Sequence, residues 1–329
     1  MIAPSLPILD PLARALALLG RQAPWVLPAS LALGAAVPSL ADLARPALPP
    51  VIFLILGFAL MRVAPARAVA AITRARTLVA VAWQQLALPL AAVAVLAALQ
   101  AAVPGLPRGV LDGATVFAFS APVLSTIGLA LLLRLDAPTA TALLIAGGAT
   151  SVMILPGAVD RLAPGAADLG AAALGLRLAA LVGGAALMAA AVRRVFGAGR
   201  VEAAGPVFDG VFVILMVIFG LAAMDGVGPR LIARPGETAV YLVVALGLAA
   251  LLAAGGLAMR PVLGAGAAGA AALCSGLRNM GLTVAAAGAS VSDDVFLFFG
   301  LVQIPIYAVP AIGAALARRR DLVGSSKKH

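Results

Sequence analysis

Arg278 stands in the run Cys274-Ser275-Gly276-Leu277-Arg278-Asn279-Met280-Gly281, deep inside a stretch of Ala, Gly, Leu and Val running from about residue 264 to 290. By helical rise it falls about 14 residues into that stretch, near the middle of a bilayer-spanning element. A permanently charged guanidinium there costs at least ~2.5–3.5 kcal/mol unless it is compensated. A long side chain can reach the interface from a span end, but hardly from the middle. Two chemistries follow: an anion-binding group, or a fixed cation standing in an ion site. The bland alternative is a buried salt bridge, for which carboxylates are scarce, since Asp112 and Asp209 lie near span ends. Three other apolar runs carry polar groups that could join Arg278. Gln84 and Gln85 precede Pro89 in WQQLALP; Ser120, Pro122, Ser125 and Thr126 precede Gly128; Gln303, Pro305, Tyr307 and Pro310 share VQIPIYAVP. A proline beside hydroxyls or amides in mid-span frees carbonyls and supplies donors, the makings of an ion or ligand site. Candidate binding residues are therefore Gln84, Ser125, Thr126, Cys274, Ser275, Arg278, Asn279 and Gln303. Arg177 is a second intramembrane charge, expected to pair structurally with Asp112.

The elements that must hold these groups are helices in a membrane. Of 329 residues 63% are hydrophobic and only 11% charged, with a mean hydropathy of +1.12. Soluble domains carry about a quarter charged residues, so this chain has too little polar surface to cover a globule. The apolar runs lack the alternation of barrel strands. Pro, Gly and charge punctuation divides the chain into ten expected spans: roughly 24–41, 48–62, 77–103, 109–133, 137–159, 168–192, 206–224, 237–259, 264–290 and 294–317. Residues 1–23 read as an interfacial lead-in without a signal-peptide core, and 318–329 as a basic tail. With even parity, Arg14, Arg21, Arg62, Arg67, Arg74, Arg76, Arg134, Arg193, Arg194, Arg200, Arg260, Arg318, Arg319, Arg320, Lys327 and Lys328 share one side, 16 in all. Only 5 cations, Arg45, Arg108, Arg161, Arg230 and Arg234, occupy the other. That bias places both termini in the cytoplasm of an inner (plasma) membrane, and it accounts for the net charge of +10 without nucleic acid.

The halves also resemble one another. VIFLILGFALM (51–61) pairs with VILMVIFGLAAM (213–224), setting Gly57 against Gly220, and LSTIGLA (124–130) pairs with LRNMGLT (277–283). Matches five spans apart imply two repeats, 24–160 and 161–317, and an odd number of spans per repeat inverts the second copy, as in many secondary transporters. The single cysteine excludes an internal disulfide. One histidine, at the C-terminus, leaves no cluster with metal-ligand spacing. No P-loop occurs, so no ATPase partner is implied and work would come from an ion gradient or from the substrate's own.

At these residues the chain resembles the bile acid:sodium symporter family. Gln84 five residues before Pro89 matches that family's third span. Ser125 and Thr126 fall where it carries a Ser-Asn pair. Cys274, Gly276, Arg278, Asn279, Gly281 and Leu282 follow its Glu-x-Gly-x-Gln-Asn motif and the Gly-Leu after it, and VQIPIYAVP is similar to its final span in bacteria. The resemblance implies a panel domain and a core domain, with discontinuous spans 4 and 9 crossed in the core. It also implies alternating access and uptake of an organic anion with two sodium ions. Gln84, Ser125 and Thr126 would be the residual sodium ligands. The departures are chemical: a thiol, Cys274, replaces a carboxylate that serves sodium, and Arg278 replaces a ligating Gln. Sodium prefers hard oxygen donors, and a guanidinium within bonding reach repels a cation. The expectation is a small-organic-anion carrier whose sodium coupling is reduced or lost because Arg278 supplies one positive charge permanently. The alternatives are a carrier of the auxin-efflux type, suggested by APVLSTIGLALLLRLDAPTATALL, and a non-transporting membrane ligand sensor.

Overall fold

The computed structural model describes residues 9–61 and 74–326, with side chains as far as Val309. Arg62, Arg67, Lys327 and Lys328, with the outermost parts of the N-terminal segment and basic tail, lie outside the described residues. Helices account for nearly all of the described chain, which contains no strand beyond two isolated bridges. Six helices are long and apolar enough to cross a membrane: Pro38–Met61, Ala75–Ala102, Ala137–Leu162, Ala171–Phe196, Val207–Ala233 and Pro235–Leu263. The architecture is that of a polytopic membrane protein.

In chain order the helices are α1 Leu9–Arg21, α2 Ala23–Ala36, α3 Pro38–Ala44, α4 Leu48–Met61, α5 Ala75–Ala102, α6 Arg108–Phe119, α7 Ser125–Leu132, α8 Ala137–Leu162, α9 Ala171–Phe196, α10 Ala198–Ala203, α11 Gly205–Ala223, α12 Val227–Ala233, α13 Pro235–Leu257, α14 Arg260–Leu263, α15 Ala265–Gly276, α16 Gly281–Ala287 and α17 Asp293–Ser326. Among the described residues each of the ten apolar runs is largely helical, with 109–133 and 264–290 each divided into two helices. The first stops at Ala36 rather than 41, because Val37 is forced out of helical geometry (φ −123°, ψ 82°) by Pro38.

Close approaches at small residues give the directions. Gly20 lies against Asp209 and Gly34 against Leu221, so α1–α2 runs parallel to α11. Gly184 meets Phe53 and Gly57 meets Met188, so α4 and α9 are also parallel. By contrast α17 is antiparallel to α11: Gly300 meets Ala223 near one end, and Tyr307 Oη donates to Met216 O (3.2 Å) further along. The start of α1 and the end of α17 therefore share one end of the bundle. A large apolar core, including Phe117, Phe119, Phe298, Phe299 and Met280, packs around α6 and α16, and a smaller cluster with Ala130, Ala270, Ala271 and Cys274 packs α7 against α15.

Candidate functional site

Two helices break at the same place and cross. Pro122 has no N–H to continue α6 and pushes Ala121 toward extended geometry; Ser120 already lies at φ −64°, ψ 158°. Residues 277–280 interrupt the other helix, with Leu277 at φ −107°, ψ 97°. The two extended segments meet antiparallel around a bridge between Pro122 and Arg278. Val123 N donates to Leu277 O (3.0 Å) and Asn279 N donates to Ala121 O (2.6 Å). Exchanging the segments leaves this pattern unchanged, so the crossing has a local two-fold axis. The register pairs residues 156 apart, as with Pro122 and Arg278. It corrects the sequence match of Leu124 with Leu277 by three residues: the counterpart of Arg278 is Pro122, not Ser125.

Arg278 has no exposed surface. Its Nε donates to Ser275 O (2.8 Å), Nη1 to Ser120 O (2.9 Å) and to Gln85 Oε1, and Nη2 to Gln84 O (2.6 Å). Each backbone acceptor is one that an unbroken α-helix would have used. Ser275 O loses Asn279 N to the crossing strand. Ser120 O sits where α6 stops, so no helical donor follows. Gln84 O is released by a π-turn at Trp83–Ala87, in which Leu88 N bonds Trp83 O. The next π-register donor would be residue 89, which is proline. The carbonyl ends of α6 and α15 thus point at the guanidinium, and helix dipoles favour a cation there. Among the described residues no carboxylate forms an ion pair with Arg278. Its compensation is neutral oxygen throughout.

Around this cage the other candidates divide. Gln84 contributes its backbone carbonyl, while its amide nitrogen reaches Gln85 Oε1 (3.3 Å) and its own Oε1 is buried without a partner. Ser275 contributes its carbonyl, and its buried hydroxyl is also unpartnered. Asn279 joins the crossing through its backbone N–H. Thr126 is buried, donates to Val123 O (2.7 Å) and lies against Cys274. Cys274 is fully buried in an apolar cluster with Val81, Leu143 and Met259. Ser125 is exposed at the start of α7, outside the cage. Gln303 donates to Phe299 O (3.0 Å) of its own helix and is not part of the cage. The oxygens that converge on the guanidinium are those of Gln84, Gln85, Ser120 and Ser275; Ser125 and Thr126 contribute none of them. The pairing expected between Arg177 and Asp112 is not made. Arg177 reaches Ala286 O and Ala287 O (3.5 and 3.4 Å) at the carbonyl end of α16, while Asp112 accepts from the Gly165 backbone. Gln85, the one side-chain oxygen on Arg278 among the described residues, also donates to Gly147 O (3.1 Å), anchoring the cage to α8. Its sequence signal is Pro89 four residues on, which disturbs the helix just there.

The fold and site together define an all-helical, polytopic membrane protein with a buried cation where two broken helices cross. Compared with family models and with curated proteins, the chain matches none.

Proposed function

We propose that the chain is a secondary transporter of a small organic anion, with the ten-span, inverted-repeat plan of the bile acid:sodium symporters, and that Arg278 replaces a coupling cation. The observation that carries this reading is the two-fold crossing of α6–α7 and α15–α16 with a guanidinium held by released carbonyls. Interrupted helices at membrane depth are tolerated where a site needs their freed backbone groups.

Packing between the halves supports the repeat. The α2–α11 contact has its counterpart in α9–α4, α17–α6 in α8–α15, and α17–α2 in α8–α9. Gly57 and Gly220, matched in sequence, play the same part: a Cβ on Gly57 would collide with Met188 of α9, and one on Gly220 with Ser30 of α2. On this plan α1–α4 and α9–α11 form the panel, and the remaining spans form the core.

Burial of Arg278 favours the fixed-cation role over direct contact with a substrate anion, because every part of the guanidinium faces protein. A sodium ion brought to about 4 Å from it would face repulsion of ~4 kcal/mol at an effective dielectric of 20. The carrier would therefore run without sodium in that place, and the substrate would feel an uncompensated positive charge across the crossing. A thermal-shift screen of small carboxylates on the purified protein, in sodium and in choline, tests this. Stabilisation by a carboxylate to the same degree in both salts is expected; stabilisation that requires sodium refutes it.

A further inference from the structure

In an inverted repeat the two halves exchange roles between the end states, so any asymmetry between matched elements reports the state in hand. The half-helices α7 and α16 are such a pair, and they are treated differently. α16 packs on both α4 and α9 of the panel, with Gly281 against Ile52 and Phe219 and with Arg177 over its last carbonyls. Among the described residues α7 packs on α8, α15 and α17 with no comparable panel contact. On α7, Leu131 is 64% exposed and Gly128 has nothing within 4 Å of a Cβ.

The end of the bundle opposite the chain termini is tied shut. Arg45, between α3 and α4, donates to Asp225 (2.7 Å) and lies 4.2 Å over the buried ring of Phe296 in the first turn of α17. Arg230 of α12 joins Asp294 of the same turn (2.5 Å) and Glu237 of α13 (3.0 Å). Helix α12 itself presses on the panel, where Gly228 closes against Ala35 of α2. Beside this contact a cavity of about 480 Å³, lined by Arg230, Ala233, Arg234, Ser292, Asp293 and Asp294, opens outward and stops short of the crossing.

We infer that the structure is the state open toward the termini, and that Arg45 and Arg230 latch the opposite end by holding the first turn of α17 to the panel side. Resting on the carrier reading, this adds the residues that govern which end is open. Opening the latch lets α7 take the place on α11 and α2 that α16 now has on α4 and α9.

The test is side-specific labelling of Ser125→Cys in a Cys274→Ala background, with a membrane-impermeant maleimide applied to intact and to inverted vesicles. Labelling from the cytoplasmic face alone is expected. Adding Arg45→Gln and Arg230→Gln should raise labelling from the outer face at least tenfold. Should that quadruple variant not accumulate, Asp294→Asn with Phe296→Leu removes the contacts that Arg230 and Arg45 make to the first turn of α17, leaves Arg45–Asp225 and Arg230–Glu237 in place, and should give the same rise. Outer-face labelling of the parent, labelling from neither face, or no rise on loosening the latch overturns the inference. The carboxylate screen is independent of the latch: carboxylate binding alongside an unmoved labelling pattern would sink the latch alone.

Discussion

Replacing Arg278 by Gln removes the charge but keeps an amide in the cage. The guanidinium serves four oxygens, those of Gln84, Gln85, Ser120 and Ser275. A Gln amide has two donors, so two of the four acceptors lose this donor; Gln85 Oε1 keeps Gln84 Nε2, so at least one buried carbonyl is left without a partner. At about 1–3 kcal/mol for each unsatisfied buried group, the variant in choline should lose roughly 1–6 kcal/mol. For a chain of this size that is a fall of at least ~2 °C in the melting temperature, taking about 2–4 °C per kcal/mol. The vacated cage is then a set of neutral oxygens at the carbonyl ends of α6 and α15, suited to a small hard cation. Sodium at a hundredfold excess over its dissociation constant would restore about 2.7 kcal/mol. The assay is thermal unfolding of purified wild type and Arg278→Gln in matched sodium and choline chloride. Wild type should melt at the same temperature in both, and the variant should be lower in choline and recover by ~5 °C or more in sodium. Sodium-dependent stabilisation of the wild type, or a variant indifferent to the salt, would refute the reasoning.

Three further substitutions probe the same cage and its supports. Gln85→Glu would set a carboxylate on the buried guanidinium; carboxylate-induced thermal shifts should disappear while the melting temperature in their absence is kept or raised. Pro89→Ala supplies an N–H able to claim Gln84 O in the π-register, so it should lower stability by about 1 kcal/mol, measured by melting, where removal of a mid-helix proline would ordinarily raise it. Arg134, at φ 58° after α7, is the one non-glycine residue with positive φ among the described residues. Arg134→Gly should relieve the left-handed strain and stabilise the protein by about 1 kcal/mol, read from the same melts.

How far the fold could be read from sequence varied with the kind of signal. Apolar runs located the six long helices of membrane-crossing length, because burying or exposing twenty residues to lipid leaves a mark that neighbours cannot erase. Edges failed where a single backbone restriction decided them, as at Val37 before Pro38. The break in α6–α7 was visible through Pro122. The break at 277–280 contains no proline, and it is held open by contacts: Asn279 N is claimed by Ala121 O, and Arg278 itself bonds the carbonyl this releases. Such a break depends on a partner segment more than 150 residues away, which no local pattern reveals. The importance of Arg278 was legible from its cost at membrane depth. Its partners were only half legible, because three of the four are carbonyls, which every residue possesses. Polar side chains drew attention to Gln303 and Ser125, whose positions lie outside the cage, while Gln85 entered through a π-turn that shifts the face of the helix. Opposite charges in the same outer half suggested Arg177 with Asp112; packing sends Arg177 to the carbonyls of α16 instead.

The central claim is that the positive charge at the crossing belongs to the protein. Flux of a radiolabelled small carboxylate into proteoliposomes, the compound being the strongest stabiliser in the screen, tests it most directly in sodium against choline. Equal, saturable rates in both salts are predicted for the wild type. Saturable flux that vanishes when sodium is withdrawn would contradict the account.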